Sequence, residues 1–205
     1  MGEFKVILAD PPWRFDDKLK MSKVARGAHA HYDLMSNEDI INLGALVKLA
    51  ASDDSVLAMW VPSTLLSLGL HVMQAWGFRQ TQVYTWVKTT KKDVGNVYRR
   101  GRKFRARRPA FGMGRLFRGA TEVCLVGVRG SPYAHLRNRS QRNVCFERNL
   151  GHSIKPNNLH RSLDLMFDGH KLELFGRRTY RGWTVLGNEV TGNDIRYDLC
   201  KLVGI

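Results

Sequence analysis

Short apolar segments alternate with helix-like segments along most of the chain, and this alternation limits the possible folds more than any other feature. The apolar segments have the length and composition of buried strands. They are Phe4–Ala9, Ser55–Val61, Thr81–Val87, Thr121–Val128, Lys171–Phe175 and Trp183–Leu186. Helical patterns begin at the capping sequence around Ser36, at Ser63 and at Pro156. Strands that alternate with helices predict an α/β fold with a mostly parallel sheet.

The length of 205 residues suits one α/β domain with its own core and is short for two. We therefore predict a single domain over residues 1–205. The sequence has no apolar stretch of ~18 residues and no signal-peptide pattern. Cys124, Cys145 and Cys200 lack the spacing of metal ligands. We expect reduced thiols, no metal site and a cytoplasmic protein that does not enter a membrane.

Positive charge is concentrated in one segment, residues 88–119, which we call the basic segment. The whole chain carries a net charge of +15, and +11 of it lies between Lys88 and Arg118, where Asp93 is the one acidic residue. A solvated surface would mix signs, so this balance favours a polyanionic partner such as nucleic acid. We read the segment as an irregular insertion that binds nucleic acid, the alternative being a mobile, solvated insert.

The basic segment supplies twelve candidate phosphate-binding residues. They are Lys88, Lys91, Lys92, Arg99, Arg100, Arg102, Lys103, Arg105, Arg107, Arg108, Arg115 and Arg118. Aromatic residues lie among them, namely Tyr98, Phe104, Phe111 and Phe117, and aromatic rings can stack on bases or wedge a duplex open. Arg137, Arg139 and Arg142 form a second, weaker cluster.

The sequence Asp10-Pro11-Pro12-Trp13 follows the first predicted strand directly, at the edge of the sheet where ligands bind in open α/β folds. An amine on an aromatic ring is a poor nucleophile, because its lone pair is delocalised into the ring. The Asp10 carboxylate and the Pro11 carbonyl could accept its N–H groups and so stabilise the charge that develops during attack. Trp13 would offer a face for stacking. The alternative is a rigid turn with a core tryptophan.

These four residues resemble the catalytic motif of the MT-A70 family of adenine N6-methyltransferases. Further segments resemble other blocks of that family, in family order. They are His31-Tyr32, Ala75–Phe78, Val83–Lys88, Thr121-Glu122, His152–Pro156, Lys171–Arg177, Gly182-Trp183 and Leu186–Glu189. The resemblance implies a Rossmann-like class I methyltransferase fold with helices on both faces. It also implies a permuted order, in which the catalytic strand comes first and the cofactor strand Lys171–Phe175 late, side by side.

The resemblance further implies that S-adenosyl-L-methionine is the cofactor and that it lies between these two strands. Lys155 matches a family position that contacts the methionine carboxylate, and Asn188 and Glu189 match a pair near its nucleoside. The full set of implied cofactor residues is Asp10, Ser153, Lys155, Phe175, Gly176, Arg177, Asn188 and Glu189. Lys155 as a solvated lysine at a helix start, and Asn188 as a turn residue, are the alternatives from the residues alone.

Several questions stay open at this point. The implied reaction is methylation of adenine N6 in DNA, with adenine in RNA or N4 of cytosine as alternatives, because all are ring amines. A base inside a duplex is out of reach, so the enzyme must flip it out or act on single strands, and His31 and Tyr32 could close over the base. Two other classes of function are a catalytically silent binding subunit and an RNA-binding module. The intact Asp10–Trp13 motif argues against both. We expect a monomer or homodimer of bacterial or phage type.

Overall fold

The computed structural model describes residues 2–14, 35–99, 102–112, 116–149, 151 and 154–205, with backbone only for 91–99 and 102–107. The strands are β1 Phe4–Ala9, β2 Ala51–Val61, β3 Arg79–Arg99, β4 Arg102–Pro109, β5 Thr121–Arg129, β6 Val144–Arg148, β7 His170–Leu174 and β8 Thr184–Leu186. The helices are α1 Asn37–Asn42, α2 Gly44–Ala50, α3 Leu66–Ala75, α4 Asn158–Met166, α5 Asn188–Thr191 and α6 Ile195–Val203. Short 3₁₀ turns cover Ser63–Leu65 and Pro132–His135.

All eight strands form one sheet in the order β4-β3-β5-β2-β1-β7-β8, with β6 paired to β3. Strand β1 is parallel to both β2 and β7, and β7 is parallel to β8. The β3–β6 pair is also parallel, whereas β5 runs antiparallel to β2 and β3. The predicted α/β, Rossmann-like fold is confirmed. The first strand and the late strand β7 are neighbours, so their carboxyl ends open onto one crevice.

The core has two layers because successive residues of a strand point to opposite faces of the sheet. From β1, Ile7 and Ala9 enter one cluster together with residues of α1, α2, α3 and α6. Val6 and Leu8 enter the other cluster, which α4 covers with Leu159 and Leu163. Helices therefore lie on both faces, as the resemblance implied.

The start of α1 follows from its sequence. The Ser36 side chain accepts a hydrogen bond from the Asp39 backbone N–H at 3.0 Å, which satisfies one of the free donors of the first turn. The buried apolar residues of this region are Ile40, Leu43, Val47 and Ala50, and Leu43 marks the junction of α1 and α2.

The basic segment is not the irregular insertion that we predicted. Strand β3 continues through it to Arg99 and pairs antiparallel with β4, so most of the segment is a β-hairpin. We call the part of β3 from Lys88 onward, together with β4, the basic hairpin. The prediction relied on apolar runs to find strands. A strand outside the core needs only a partner for its backbone groups, which β4 provides despite its polar composition.

Helices α5 and α6 were also missed. The N-cap of α6 is Asp194, whose side chain accepts from the Arg196 backbone N–H, and its apolar side chains Ile195 and Leu199 are buried. Among the described helices, none has both the length and the apolar character needed to cross a bilayer. Within the same residues, no group of three His, Cys, Asp or Glu side chains is placed to hold a metal ion.

Candidate active site

A cleft of about 1040 Å³ opens at the carboxyl ends of β1, β2 and β7. This volume is at the upper end of the range for small-molecule sites, so the cleft has room for a cofactor and a base together. Most of the predicted catalytic and cofactor residues line it. They are Asp10, Pro11, Pro12, Trp13, Lys155, Phe175, Arg177, Asn188 and Glu189. The fold thus brings together residues that lie up to 179 positions apart in the sequence.

Backbone contacts hold the Asp10–Trp13 motif at the end of β1. The Asp10 N–H donates to the Leu174 carbonyl at 3.3 Å, which extends the β1–β7 pairing by one residue. The Trp13 N–H donates to the Pro11 carbonyl at 2.8 Å. Because a carbonyl oxygen has two lone pairs, Pro11 can still accept a second hydrogen bond from a substrate amine.

Trp13 does not present the open stacking face that we predicted. Its side chain is only 4% exposed and packs in the same core cluster as Ile40. Its indole Nε1–H donates to the Trp60 carbonyl at 2.8 Å. Burial and this hydrogen bond make Trp13 an anchor that fixes the motif to β2, because a buried indole N–H needs an acceptor.

An ion pair joins Asp10 to Lys155. The sequence predicted a contact of Lys155 with the cofactor but not with Asp10. Lys155 Nζ lies 2.9 Å from Asp10 Oδ1 and 2.8 Å from Oδ2. The same nitrogen lies 3.5 Å from Glu122 Oε2 and 5.7 Å from the Trp60 ring centroid. Lys155 is thus no solvated lysine at a helix start. The three N–H donors of its ammonium face the two Asp10 oxygens and Glu122.

The ionisation of the pair reflects its burial. Burial raises the pKa of Asp10, although the nearby Lys155 ammonium opposes this effect. For Lys155, burial alone would lower the pKa, but attraction to Asp10 and Glu122 outweighs it and leaves the pKa raised. The raised pKa of Lys155 keeps it protonated at neutral pH, and its positive charge favours the ionised form of Asp10 against the effect of burial.

Glu122 and Trp60 are site residues that our list of candidates omitted. Glu122, on β5, makes ion pairs with both Lys155 and Lys88. In the sequence, Glu122 is part of the family block Thr121-Glu122 and was not predicted as a site residue. Trp60 lies near the end of β2, at the same edge as Asp10. The signal that could have found both is their position at strand ends on this edge, as for Asp10.

The opposite wall consists of two close turns, one after β7 and one after β8. Phe175 has φ +64°, a left-handed conformation that is costly for a bulky residue and is found at functional sites. A Cβ at Gly187 would lie 2.3 Å from the Gly176 carbonyl oxygen, so the two turns touch through their backbones. Gly176 is buried beneath the wall against Val185 and is not on the cleft surface, unlike Phe175.

The predicted nucleoside-binding pair lies at the start of α5. Asn188 is its first residue and Glu189 its second, and both line the cleft. Arg177 Nε lies 3.6 Å from Glu189 Oε1. A carboxylate at such a turn can accept hydroxyl groups of a ribose, and the neighbouring guanidinium fixes its direction.

The remaining predicted residues divide into four groups. His31, Tyr32, Ser153, Arg100 and Arg115 lie outside the described residues. Only the backbone is described for Lys91, Lys92, Arg99, Arg102, Lys103, Arg105 and Arg107. Arg108 and Arg118 are exposed, as a phosphate-binding role requires. Lys88 is different, because it pairs with Glu122 and lines the cleft, and it therefore belongs to the wall of the site.

Comparisons with known proteins agree with this geometry. The MT-A70 family model matches residues 4–189. The chain is 28% identical over 195 residues to an N(6)-adenosine-methyltransferase MT-A70-like protein of Drosophila melanogaster, covering 94% of this chain and 28% of that protein. It is 28% identical over 196 residues to the N(6)-adenosine-methyltransferase catalytic subunit METTL3 of Homo sapiens, covering 94% and 29%.

A weaker match is to the N6-adenosine-methyltransferase non-catalytic subunit MTB of Arabidopsis thaliana. It has 30% identity over 130 residues, covering 63% of this chain and 14% of that protein. The chain spans less than a third of the length of these curated relatives.

Proposed function

Because the chain belongs to the MT-A70 family, we propose that it is an S-adenosylmethionine-dependent methyltransferase that acts on N6 of adenine in DNA. The observation that carries the proposal is the contact of Asp10 with Lys155 at 2.8 Å, in a cleft at the end of β1. The Lys155 ammonium favours the ionised form of Asp10, and an ionised acceptor at this edge suits a substrate amine that must gain nucleophilicity.

Asp10 and Pro11 are the residues that are proposed to act on the target amine. One N–H of the target donates to Asp10, and the other donates to the Pro11 carbonyl. As the nitrogen attacks it acquires positive charge, which both acceptors stabilise more strongly than they stabilise the neutral amine. Asp10 is also the base in the cleft that can take the proton released from the methylated nitrogen. Lys155 keeps Asp10 ionised until the substrate arrives.

The residues of the cleft fit the proposed cofactor. S-adenosylmethionine supplies a methyl group bonded to a cationic sulfur. The ammonium of Lys155 suits its carboxylate, as a point charge suits an anion. Asn188 and Glu189 suit its ribose hydroxyls, and the close approach of Gly176 to Gly187 shapes the wall beside them. Ser153 and Arg177 complete the proposed set.

Alanine at Lys155 or at Asn188 is expected to weaken cofactor binding more than nucleic-acid binding. Each variant loses a polar contact proposed for the cofactor, which corresponds to about a 10-fold loss of affinity. Calorimetry with the cofactor, beside a DNA titration, measures both. Lys201→Ala and Asn149→Ala are matched controls on exposed surface away from the cleft. Unchanged cofactor affinity in both cleft variants would move the cofactor elsewhere.

Glu122→Gln is expected to extend activity to lower pH. The negative charge of Glu122 raises the pKa of Asp10, so the neutral amide lowers that pKa, and Asp10 stays ionised as the solution becomes more acidic. The acid limb of kcat/KM, which reports the free enzyme, should therefore move to lower pH. An unmoved or oppositely moved limb contradicts the assignment of that limb to Asp10. Glu147→Gln, which is outside the cleft, provides the control.

We assign target recognition to the basic hairpin, because it concentrates the positive charge of the chain beside the cleft. RNA is the second candidate substrate, since the names of the relatives specify adenosine, the nucleoside that carries ribose. One relative is described as non-catalytic, so a silent subunit is an alternative, against which the intact Asp10–Trp13 motif argues. We propose that the active protein is a monomer or homodimer.

One assay tests the proposal directly. The protein is incubated with labelled S-adenosylmethionine and, separately, with single-stranded and duplex DNA and RNA, and the modified nucleoside is then identified. N6-methyl-deoxyadenosine supports the proposal. N6-methyladenosine alone favours RNA, and N4-methyl-deoxycytidine moves the target to cytosine. Absence of label in all four substrates, from a folded protein that binds the cofactor, would leave only a binding function.

A further inference from the structure

Three large apolar side chains stand almost fully exposed at the mouth of the cleft. Phe111 is 79% exposed, Leu116 is 91% and Phe117 is 89%. We call these three residues the apolar rim. Single exposed apolar residues are common on protein surfaces, but three within seven positions of the sequence make this segment a candidate binding site. The flanking Gly112 and Gly119 line the cleft, so the rim borders the proposed position of the target base.

Backbone contacts fix the base from which the rim projects. The Gly112 N–H donates to the Gly119 carbonyl at 3.0 Å, and the Ala110 N–H donates to the Lys88 carbonyl at 2.7 Å. A Cβ at Gly112 would lie 2.4 Å from the Gly119 carbonyl oxygen, so the two chain segments at these glycines, which we call the neck, touch. This neck holds the rim outside the sheet and beside the cleft.

The charge around the rim identifies the kind of partner. The guanidinium of Arg118 lies 4.9 Å from the centroid of the Phe111 ring, and both Arg118 and Arg108 are exposed. The rim also lies within the stretch that carries +11 of the chain's net charge. A nucleic-acid duplex presents phosphates and stacked bases at the same place, and so matches cations interleaved with apolar side chains.

We propose that Leu116 and Phe117 enter the base stack of duplex DNA and fill the gap left when the target adenine turns into the cleft. The proposal rests on the proposed function, because it assumes that a base must leave the duplex. An apolar wedge lowers the cost of unstacking and holds the flipped state open. Phe111, stacked under Arg118, supports the wedge at its base.

The test compares a Leu116→Ala/Phe117→Ala protein with wild type on two readouts. In the first, a panel of duplexes carries 2-aminopurine in place of one adenine at a time, and its fluorescence rises when that base unstacks. In the second, kcat/KM is measured on single-stranded and duplex DNA. We expect the double variant to lose most of the fluorescence rise and about 10-fold or more in kcat/KM on duplex DNA. Activity on single strands should stay near that of wild type.

Leu49→Ala/Leu165→Ala is the matched control, since these leucines are 54% and 55% exposed on α2 and α4, away from the cleft. It should behave as wild type in both readouts. Three results would overturn the wedge: equal losses of kcat/KM on single strands and duplexes, an unchanged fluorescence rise in the double variant, or a wild-type protein that modifies only single strands. A wild-type dimer that the rim substitutions dissociate would instead assign the rim to a second copy of the chain.

Failure of the wedge and failure of the proposed function are distinguishable. The fluorescence rise needs no methyl transfer and can be measured with Asp10→Ala in place of wild type. A rise that depends on the rim, without N6 methylation in any substrate, supports the wedge and removes the proposed reaction. N6 methylation of duplex DNA, together with a fluorescence rise that is unchanged in the Leu116→Ala/Phe117→Ala protein, supports the proposed reaction and removes the wedge.

Discussion

Replacing Asp10 with alanine is expected to reduce methyl transfer by at least about 10²- to 10³-fold, the cost of losing one preorganised charge-stabilising group. Asp10 is the carboxylate at the end of β1 that is proposed to accept the amine, and its contact with the amine strengthens as positive charge develops on the nitrogen. Cofactor affinity should change little, because Lys155, Asn188 and Glu189 remain. Lys155 keeps Glu122 as a partner, which limits the disturbance.

The measurement is turnover with labelled cofactor, beside a cofactor titration and a thermal melt that establishes folding. Asp10→Asn should fall between wild type and alanine, because its amide oxygen still accepts one N–H but carries no charge. Asp53→Ala removes an exposed carboxylate outside the cleft and should have no effect. Near-wild-type turnover by folded Asp10→Ala protein would remove Asp10 from the mechanism.

The position of Asp10 could be predicted from sequence because it depends on local patterns. The apolar residues of β1 and β7 mark two buried strands, and residues that directly follow such strands lie at one edge of the sheet. The family blocks added the order of the strands, which places Phe175 opposite Asp10. Composition alone could not have shown that β1 and β7 are neighbours.

The contacts inside the site could not be predicted in the same way. The ion pair of Lys155 with Asp10 joins residues 145 positions apart, and no periodicity reports such a pair. Trp13 has the same sequence position whether it stacks on a base or packs in the core, and only its neighbours decide between them. The basic hairpin was missed because its backbone pairing, rather than an apolar pattern, makes it a strand.

Reversing the charge of Arg105, Arg107 and Arg108 to glutamate is expected to weaken DNA binding strongly and to flatten its dependence on salt. The three residues lie on β4, where Arg105 is opposite Asn96 and Arg107 is opposite Asp93. Each phosphate contact adds roughly −0.9 to the slope of log affinity against log salt on duplex DNA, and about −0.7 on single strands. Loss of three contacts should therefore reduce the slope by about 2–3.

The control separates local contacts from net charge. Glutamate at Arg79, Arg161 and Lys201 produces the same change in net charge at exposed positions outside the basic segment. If the basic hairpin acts only through overall charge, both triple variants should lose affinity equally and keep the number of phosphate contacts. If it binds phosphates directly, the slope should fall for the β4 variant alone, while cofactor affinity stays unchanged in both.

Equal salt slopes for wild type and the β4 variant would show that the basic hairpin does not bind the phosphates. The cluster of Arg137, Arg139 and Arg142 would then become the better candidate. Within it, Arg137 forms an ion pair with Asp168, and Arg139 donates to the Tyr133 carbonyl at 3.5 Å. Arg142 is exposed. Charge reversal at Arg142 would therefore be the next substitution to measure on the same salt titration.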